Sequence, residues 1–299
     1  MAKIHPEMYF KADTKICALI WTPNDQILAG TSCGQLQLWD CKSQKQIRKS
    51  QIFDQNQPIL WIAMDTNENS WIIQARFSPI LKIVKNFEII QEINMQSSAL
   101  SFCKGDIFQN LIAVPSGESN CELLNWKTKK SETIIKSEEN SGFLGCLKIS
   151  SEFIFLGYEN GLLKMVEKST WQTVFQLDLK HSLLCMDLTG DYISLGTSED
   201  CIYTVKIDEK SLKIVKNRQL PTKGISSLNI RQDRKILVCG SWDSTIRIFS
   251  WLKPDSLKPL GALKFHQASI DCIATKATKP YLFAAGSGDG YISVWNVYN

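Results

Sequence analysis

One motif returns seven times at intervals of about 40 residues, and its last copy reads Leu282-Phe-Ala-Ala-Gly-Ser-Gly-Asp-Gly-Tyr-Ile-Ser-Val-Trp-Asn296. Counted from the last small residue before each turn, the anchors are Gly30, Ala75, Pro115, Gly157, Gly196, Gly240 and Gly286, spaced 45, 40, 42, 39, 44 and 46 residues apart. Three residues before the anchor every copy is apolar: Ile27, Ile72, Ile112, Ile154, Ile193, Leu237 and Phe283. Six after it stand Leu36, Leu81, Cys121, Leu163, Ile202, Ile246 and Ile292, and eight after it Leu38, Ile83, Leu123, Met165, Thr204, Ile248 and Val294. Only Thr204 departs from the pattern. The ninth position holds Trp39, Val84, Leu124, Val166, Val205, Phe249 and Trp295, whereas the seventh and tenth, such as Gln37 and Asp40 or Arg247 and Ser250, are mostly polar and never aliphatic. Apolar residues two apart define one face of a strand, and the bulky ninth residue marks the other face as buried too. A strand covered on both sides is what radial stacking of small sheets requires.

That period and pattern are those of a WD-repeat β-propeller. A large sandwich or an up-and-down barrel would also supply strand pairs at regular spacing, but neither has a reason to repeat one small-turn-apolar sequence at fixed offsets. The expectation is an all-β, seven-bladed propeller that takes up residues 1–299 as one domain, since seven blades of about 40 residues leave no linker. In the first unit Ile16 to Trp21 reads as the inner strand, Gln26 to Gly30 and Gln35 to Asp40 as the middle pair, and Gln44 to Phe53 as the outer strand. Only four residues follow Trp295, too few for another strand, so Met8 to Lys11 is expected to complete the last blade and close the ring.

Composition excludes several classes. The longest polar segment, Lys127 to Ser141, fits an outer strand and its connection. Apolar runs such as Ile59 to Met64 fall far short of the ~20 residues of a membrane-spanning helix, and Met1 to Thr14 lacks the regions of a signal peptide. Among ten cysteines no Cys-x-x-Cys occurs, and with three histidines a metal site by spacing is not expected. Cys17, Cys103, Cys146, Cys185 and Cys272 fall 11 to 14 residues before their anchors, as repeat-equivalent small apolar residues of five inner strands, buried as free thiols. These thiols and the absence of any Asn-x-Ser/Thr sequon point to a reducing compartment. The 34 basic and 30 acidic residues leave a net charge of +4, and the clusters Lys127–Lys130 and Lys206, Lys210, Lys213, Lys216 and Arg218 read as solvated outer strands rather than a nucleic-acid surface.

Catalytic motifs dissolve on inspection. Gly30-Thr-Ser-Cys-Gly34 matches Gly-x-Ser-x-Gly but sits in an inter-strand turn, not the strand-to-helix elbow a nucleophile needs. Gly286-Ser-Gly-Asp-Gly290 likewise lacks a following helix to hold phosphate. His5, His181 and His266 are the sole candidate imidazole bases. No catalytic residue, cofactor or metal is expected.

Two groups of residues carry specific expectations. His266, Ser287, Asp289 and Trp295 resemble the structural tetrad of WD-repeat proteins, one buried hydrogen-bond chain in which an Asp fixes the imidazole tautomer. Other blades keep fragments, such as His181 with Thr197 and Ser241 with Asp243. In the repeat geometry Arg76, Phe77, Tyr158 and Trp242 fall on tight turns that open on one face around the central opening. Arg and aromatic residues are favoured at interface hot spots, so these four are the expected partner-binding residues.

A narrower resemblance rests on Arg231-Gln-Asp-Arg-Lys-Ile-Leu-Val-Cys-Gly-Ser-Trp-Asp-Ser-Thr-Ile-Arg-Ile-Phe-Ser-Trp251, on Leu263-Lys-Phe-His266, and on Ala284-Ala-Gly-Ser-Gly-Asp289. These look like the C-terminal blades of the guanine nucleotide-binding protein beta subunit-like protein 1 family, also called ASTRA-associated protein 1. Leu111-Ile-Ala-Val-Pro115 and Leu156-Gly-Tyr-Glu-Asn-Gly161 are similar to it as well. The resemblance implies a non-enzymatic scaffold, cytoplasmic or nuclear, associated with the cochaperone machinery that assembles phosphatidylinositol-3-kinase-related kinases. Protein partners are expected, without nucleic acid, membrane or a G-protein gamma subunit, because the blade pattern begins within about 15 residues of Met1 and leaves no room for a pairing helix. A scaffold of a ciliary, ribosome-biogenesis or ubiquitin-ligase complex is the alternative.

Overall fold

The computed structural model describes residues 5–65, 69–138 and 140–298, so Met1 to Ile4 of the leading segment and residue 139 of the long polar stretch lie outside it. The described strands form seven four-stranded antiparallel sheets, a seven-bladed β-propeller. Blade 1 runs outward as Ile16–Trp21, Gln26–Thr31, Gln35–Asp40 and Lys45–Gln51. In blade 7 the strands Ile270–Thr275, Phe283–Ser287 and Tyr291–Trp295 are completed by Met8–Lys11, paired from Met8↔Val294 to Lys11↔Tyr291. The closing strand also carries Phe10 into the core, 3 % exposed and 5.3 Å from the Trp39 ring of blade 1.

The anchors are small because the next blade stands on them. A Cβ on Gly30 would lie 2.5 Å from Ile59 of blade 2, one on Gly240 would lie 2.4 Å from Ile270 of blade 7, and one on Gly286 would lie 2.5 Å from Ile16 of blade 1. Each isoleucine begins an inner strand, so the small anchor of one blade seats the start of the next. Contacts this tight transmit any volume change.

Blade 2 departs from the expected frame. Elsewhere the anchor pairs with the residue six places on, as in Gly30↔Leu36 and Gly286↔Ile292. Here Leu81 faces Gln74 rather than Ala75, and Gln74 also pairs with Trp61 just as Gly30 pairs with Ala18. The turn of blade 2 therefore holds one extra residue. Its consequence appears at the rim described below.

The cysteines need a correction as well. Cys17, Cys146, Cys185 and Cys272 lie in inner strands, but Cys103 precedes the third inner strand, which shrinks to Asp106–Phe108 because Ala99 instead bridges to Gly117. Cys17 and Cys185 are only half-buried, on the wall of the central channel. Burial pushes the Cys17 thiol up to about 11, which keeps it protonated near neutrality.

Polar bonds also tie inner strands around the axis. The Asp106 carboxylate of blade 3 accepts the Ile149 N–H of blade 4 at 2.9 Å, and Asp187 of blade 5 accepts the Ile230 N–H of blade 6 at 2.7 Å. Lys148 stands between the two carboxylates, 3.3 Å from Asp106 and 3.6 Å from Asp187. Burial disfavours its charge, but the two neighbours outweigh that and hold its pKa above the ordinary amine value. Ile273 N–H of blade 7 donates to Ser227 of blade 6 at 3.1 Å, and the Trp21 indole of blade 1 donates to the Ala274 carbonyl of blade 7 at 3.0 Å.

Candidate functional site

The polar chain of blade 7 starts in the hairpin Phe283–Ser287 and Tyr291–Trp295, whose tight turn presents Asp289 beneath the loop carrying His266. His266 Nδ1 lies 3.1 Å from one Asp289 oxygen, and its Nε2 lies 2.8 Å from Ser293 Oγ. The Trp295 indole donates to that same oxygen at 2.8 Å. The serine in the chain is therefore Ser293, not the expected Ser287. Ser287 Oγ turns to the loop instead, donating to the Ala268 carbonyl at 3.0 Å and accepting the Asp289 N–H at 3.2 Å. The register explains the exchange: Ser293 lies opposite Ala285, a side chain small enough to leave room for the imidazole.

Electrostatics orders this chain. Burial lowers the His266 pKa below the ordinary 6.5 against the opposing pull of Asp289, so near neutrality the ring is uncharged. With its proton on Nδ1, His266 donates to Asp289 and accepts the Ser293 hydroxyl proton, while Ser293 accepts from Trp295. Asp289 also accepts the Gln267 and Tyr291 N–H groups, each at 2.9 Å. Both imidazole nitrogens are committed, so His266 is not placed to act as a base toward a substrate.

Removing the carboxylate strips partners from one imidazole and two backbone donors, and Asp289→Ala is expected to cost about 1–3 kcal/mol. Asp200→Ala, which loses an exposed bond from Gln219 at 3.0 Å and a weak one from Cys201 Sγ at 3.5 Å, is expected to change stability by under about 0.5 kcal/mol. Thermal melts of both variants check the contrast, and equal losses would refute it. The sign of the pH dependence follows from His266. As pH falls below 6.5 the unfolded chain takes up a proton that the folded ring resists, so stability drops until the lowered folded value is passed.

The repeat frame shows why Ser293 escaped the sequence reading. It occupies the seventh position after the anchor, whose polar character looked like exposure. In the structure that position is buried in most blades: Gln37, Glu122, Lys164, Arg247 and Ser293 are all under 9 % exposed. Arg247 fills the same place in blade 6, with Nη1 and Nη2 on Asp243 at 3.0 and 2.6 Å, Nη1 on Ser241 at 3.0 Å and Nη2 on Thr222 at 3.0 Å. Burial raises the Asp243 pKa, but Arg247, Thr222 and the Thr245 N–H override it and hold the carboxyl at about 2. Ser241 and Asp243 thus belong to one network through Arg247. His181 and Thr197 do not, since His181 stacks on Tyr203 and Thr197 donates to the Cys201 carbonyl.

Arg76 and Trp242 of the second group line an axial channel of about 620 Å³ whose wall is made by the inner strands. Two positions after each structural anchor a backbone N–H bonds the loop leading into that blade, as Ser32 does to Lys15 and Gly288 to Ser269. Arg76 and Trp242 hold this same position, bonded to Pro58 and Gly224. Trp242 is 53 % exposed and lies flat on Gly224, where a Cβ would come within 2.1 Å of its ring. Arg76 donates from Nε and Nη2 to the Leu100 carbonyl at 2.9 and 2.7 Å, with its guanidinium 4.5 Å from the Phe77 ring and 3.9 Å from the Phe102 ring. Phe77 and Phe102 are 47 % and 69 % exposed.

Tyr158 does not join them. It sits one position nearer the anchor, where Thr31, Ser116, Thr197, Ser241 and Ser287 are also buried, and it is wholly enclosed with Cys121 and Leu123 in the core between blades 3 and 4. Phe102 was missed because it lies in a connecting segment that the counted pattern does not use. Its one sequence signal is an unexplained aromatic beside Lys104 and Gly105.

Fold and repeat grammar together define a WD-repeat β-propeller, and residues 212–250 and 257–296 match the WD domain, G-beta repeat family. The chain is 30 % identical to guanine nucleotide-binding protein subunit beta-like protein 1 of Mus musculus, over 69 % of this chain and 67 % of that protein. It is 24 % identical to ASTRA-associated protein 1 of Verticillium alfalfae over 65 % of this chain and 60 % of that protein, and 27 % identical to the Schizosaccharomyces japonicus protein of the same name over 44 % and 36 %. The chain belongs to the family of guanine nucleotide-binding protein subunit beta-like protein 1, and it is also related to ASTRA-associated protein 1. Among the described residues no helix is long and apolar enough to cross a membrane.

Proposed function

We propose that the protein is a non-enzymatic interaction scaffold, cytoplasmic or nuclear, in an ASTRA-type cochaperone assembly that supports folding and assembly of phosphatidylinositol-3-kinase-related kinases. The observation that carries this reading is similarity, over more than half of the chain, both to the mouse relative and to a protein whose name places it with ASTRA. The rim supports a protein partner, because Phe102 and Trp242 are exposed on one opening and the exposed Phe77 packs on Arg76 beside it. Exposed aromatic side chains grouped with an arginine are the usual composition of a protein-binding centre.

Affinity purification of the tagged chain from its own cells, read by mass spectrometry, tests the reading. Recovery of cochaperone subunits together with a phosphatidylinositol-3-kinase-related kinase is the expected result. Enrichment of ciliary, ribosome-biogenesis or ubiquitin-ligase subunits in their place would overturn it and leave a WD-repeat scaffold of another complex.

A further inference from the structure

The turn of blade 2 keeps a conformation that packing alone does not call for. In blades 1, 4, 6 and 7 the left-handed residue of the turn is Gly34, Gly161, Ser244 or Gly290, with φ of 72°, 92°, 64° and 78°. Pro79 takes that place in blade 2, and the proline ring fixes φ near −65°. The left-handed residue moves instead to Phe77, at φ 64°, within the longer turn. A bulky side chain pays a steric penalty there that glycine avoids, and blade 3 does use glycine, Gly117 at φ 67°, two positions after its anchor. Phe77 is exposed, so its ring gains little from burial in return.

What the strained turn does is build a clamp. The Phe77 and Phe102 rings both lie against the Arg76 guanidinium, at 4.5 and 3.9 Å, and Leu100 takes the edge formed by Nε and one N–H of Nη2. The edge that remains, made by Nη1 and the second N–H of Nη2, has no protein acceptor among the described residues. A guanidinium flanked by aromatic rings and with that edge free suits a carboxylate approaching edge-on. The neighbouring charges at the mouth leave two cations unpaired. Lys15 is matched by Asp271 at 3.1 Å, while on the blade 4 side the Glu159 carboxylate, bonded among the described residues only to the Phe143 N–H at 3.2 Å, keeps its negative charge. Lys104 donates only to the Asp271 carbonyl, at 3.0 Å. Arg76 and Lys104 are thus cations of the mouth without a carboxylate partner among the described residues, and Trp242 offers a fixed apolar face on the same channel.

We propose that the Phe77–Arg76–Phe102 clamp, with Trp242, binds an extended protein segment that carries an Asp or Glu side chain flanked by large apolar residues. The carboxylate pairs with the open edge of Arg76, and the flanking side chains lie on the exposed rings. Because the clamp is already assembled, little ordering entropy is lost on binding. The proposal rests on the reading of the protein as an interaction scaffold.

The test uses the full chain and three fluorescent libraries of 12-residue peptides with degenerate flanks and a fixed central Glu, Gln or phosphoserine. The Glu library is expected to be retained with selection for aromatic and aliphatic neighbours, and its Gln counterpart to bind at least ten-fold more weakly. Arg76→Lys, which keeps the charge but loses the planar fork, and Phe77→Gly are each expected to weaken Glu-peptide binding about ten-fold. Phe77→Gly should melt at the same or a higher temperature, since glycine adopts positive φ freely. Equal binding of Glu and Gln peptides, tighter binding of the phosphoserine library or of single-stranded RNA, or no retention above the Arg76→Lys background overturns the proposal. If Arg76→Lys still recovers the cochaperone subunits in pull-down, the clamp fails while the scaffold reading stands; if the wild type recovers none but selects Glu peptides, the reverse holds.

Discussion

Deleting residues 1–11 is expected to lower the melting temperature by roughly 10 °C or more, or to abolish a cooperative transition altogether. The strand Met8–Lys11 supplies the outer edge of blade 7, and the Glu7 N–H adds a bond to the Val294 carbonyl at 2.8 Å. Loss of Phe10 alone, packed against Trp39, compares with a buried Phe→Ala change of about 3–5 kcal/mol. In a chain of this size each kcal/mol moves the midpoint by roughly 2–4 °C. Differential scanning calorimetry of the truncated chain decides the matter. A midpoint equal to that of the full chain would show that the ring does not depend on this closure.

Closure of this kind was readable in the sequence because it follows from counting. Seven copies of a middle strand pair need seven outer strands, and Met8 to Lys11 was the one segment without a partner. The small anchors were readable as a repeat, but that the isoleucines of the following blade rest on them shows only in the structure. What the repeat could not show was direction. A polar residue at the seventh position looks the same whether it faces water, as strand alternation suggests, or a buried network, as Arg247 and Ser293 do. Nor does the one-letter frame separate a true anchor from its neighbour: Ala75 fits the small position better than Gln74, yet backbone pairing chooses Gln74. The aromatics suffered from the same ambiguity. One place along the turn separates a side chain directed into the core from one directed at the rim.

That single place sets up the second large effect. Tyr158→Ala is expected to destabilise the protein by about 3–5 kcal/mol through a cavity between blades 3 and 4, since the ring is fully enclosed and Lys164 lies over it at 5.5 Å. Trp242→Ala is expected to cost no more than about 1 kcal/mol, because its half-exposed ring covers only its own lead-in glycine. Urea unfolding of the two variants side by side measures the difference. Similar midpoints would mean that Tyr158 is not part of the core.

The bonds that run from blade to blade around the axis bear on how the molecule fails. In an open array of repeats a terminal unit has one neighbour, so ends fray and the array can melt piecemeal. Here blade 7 packs directly on blade 1, with Ile16 seated on Gly286 and the Trp21 indole on the Ala274 carbonyl, and each blade rests on two others. Taking out one blade opens two apolar faces at once, and the six that remain have no capping unit to cover either. Between Lys148 with its two aspartates and the isoleucines seated on their anchor glycines, a local opening anywhere loosens the blades on both sides. Damage to one blade is therefore expected to weaken the whole ring rather than to fray a single unit.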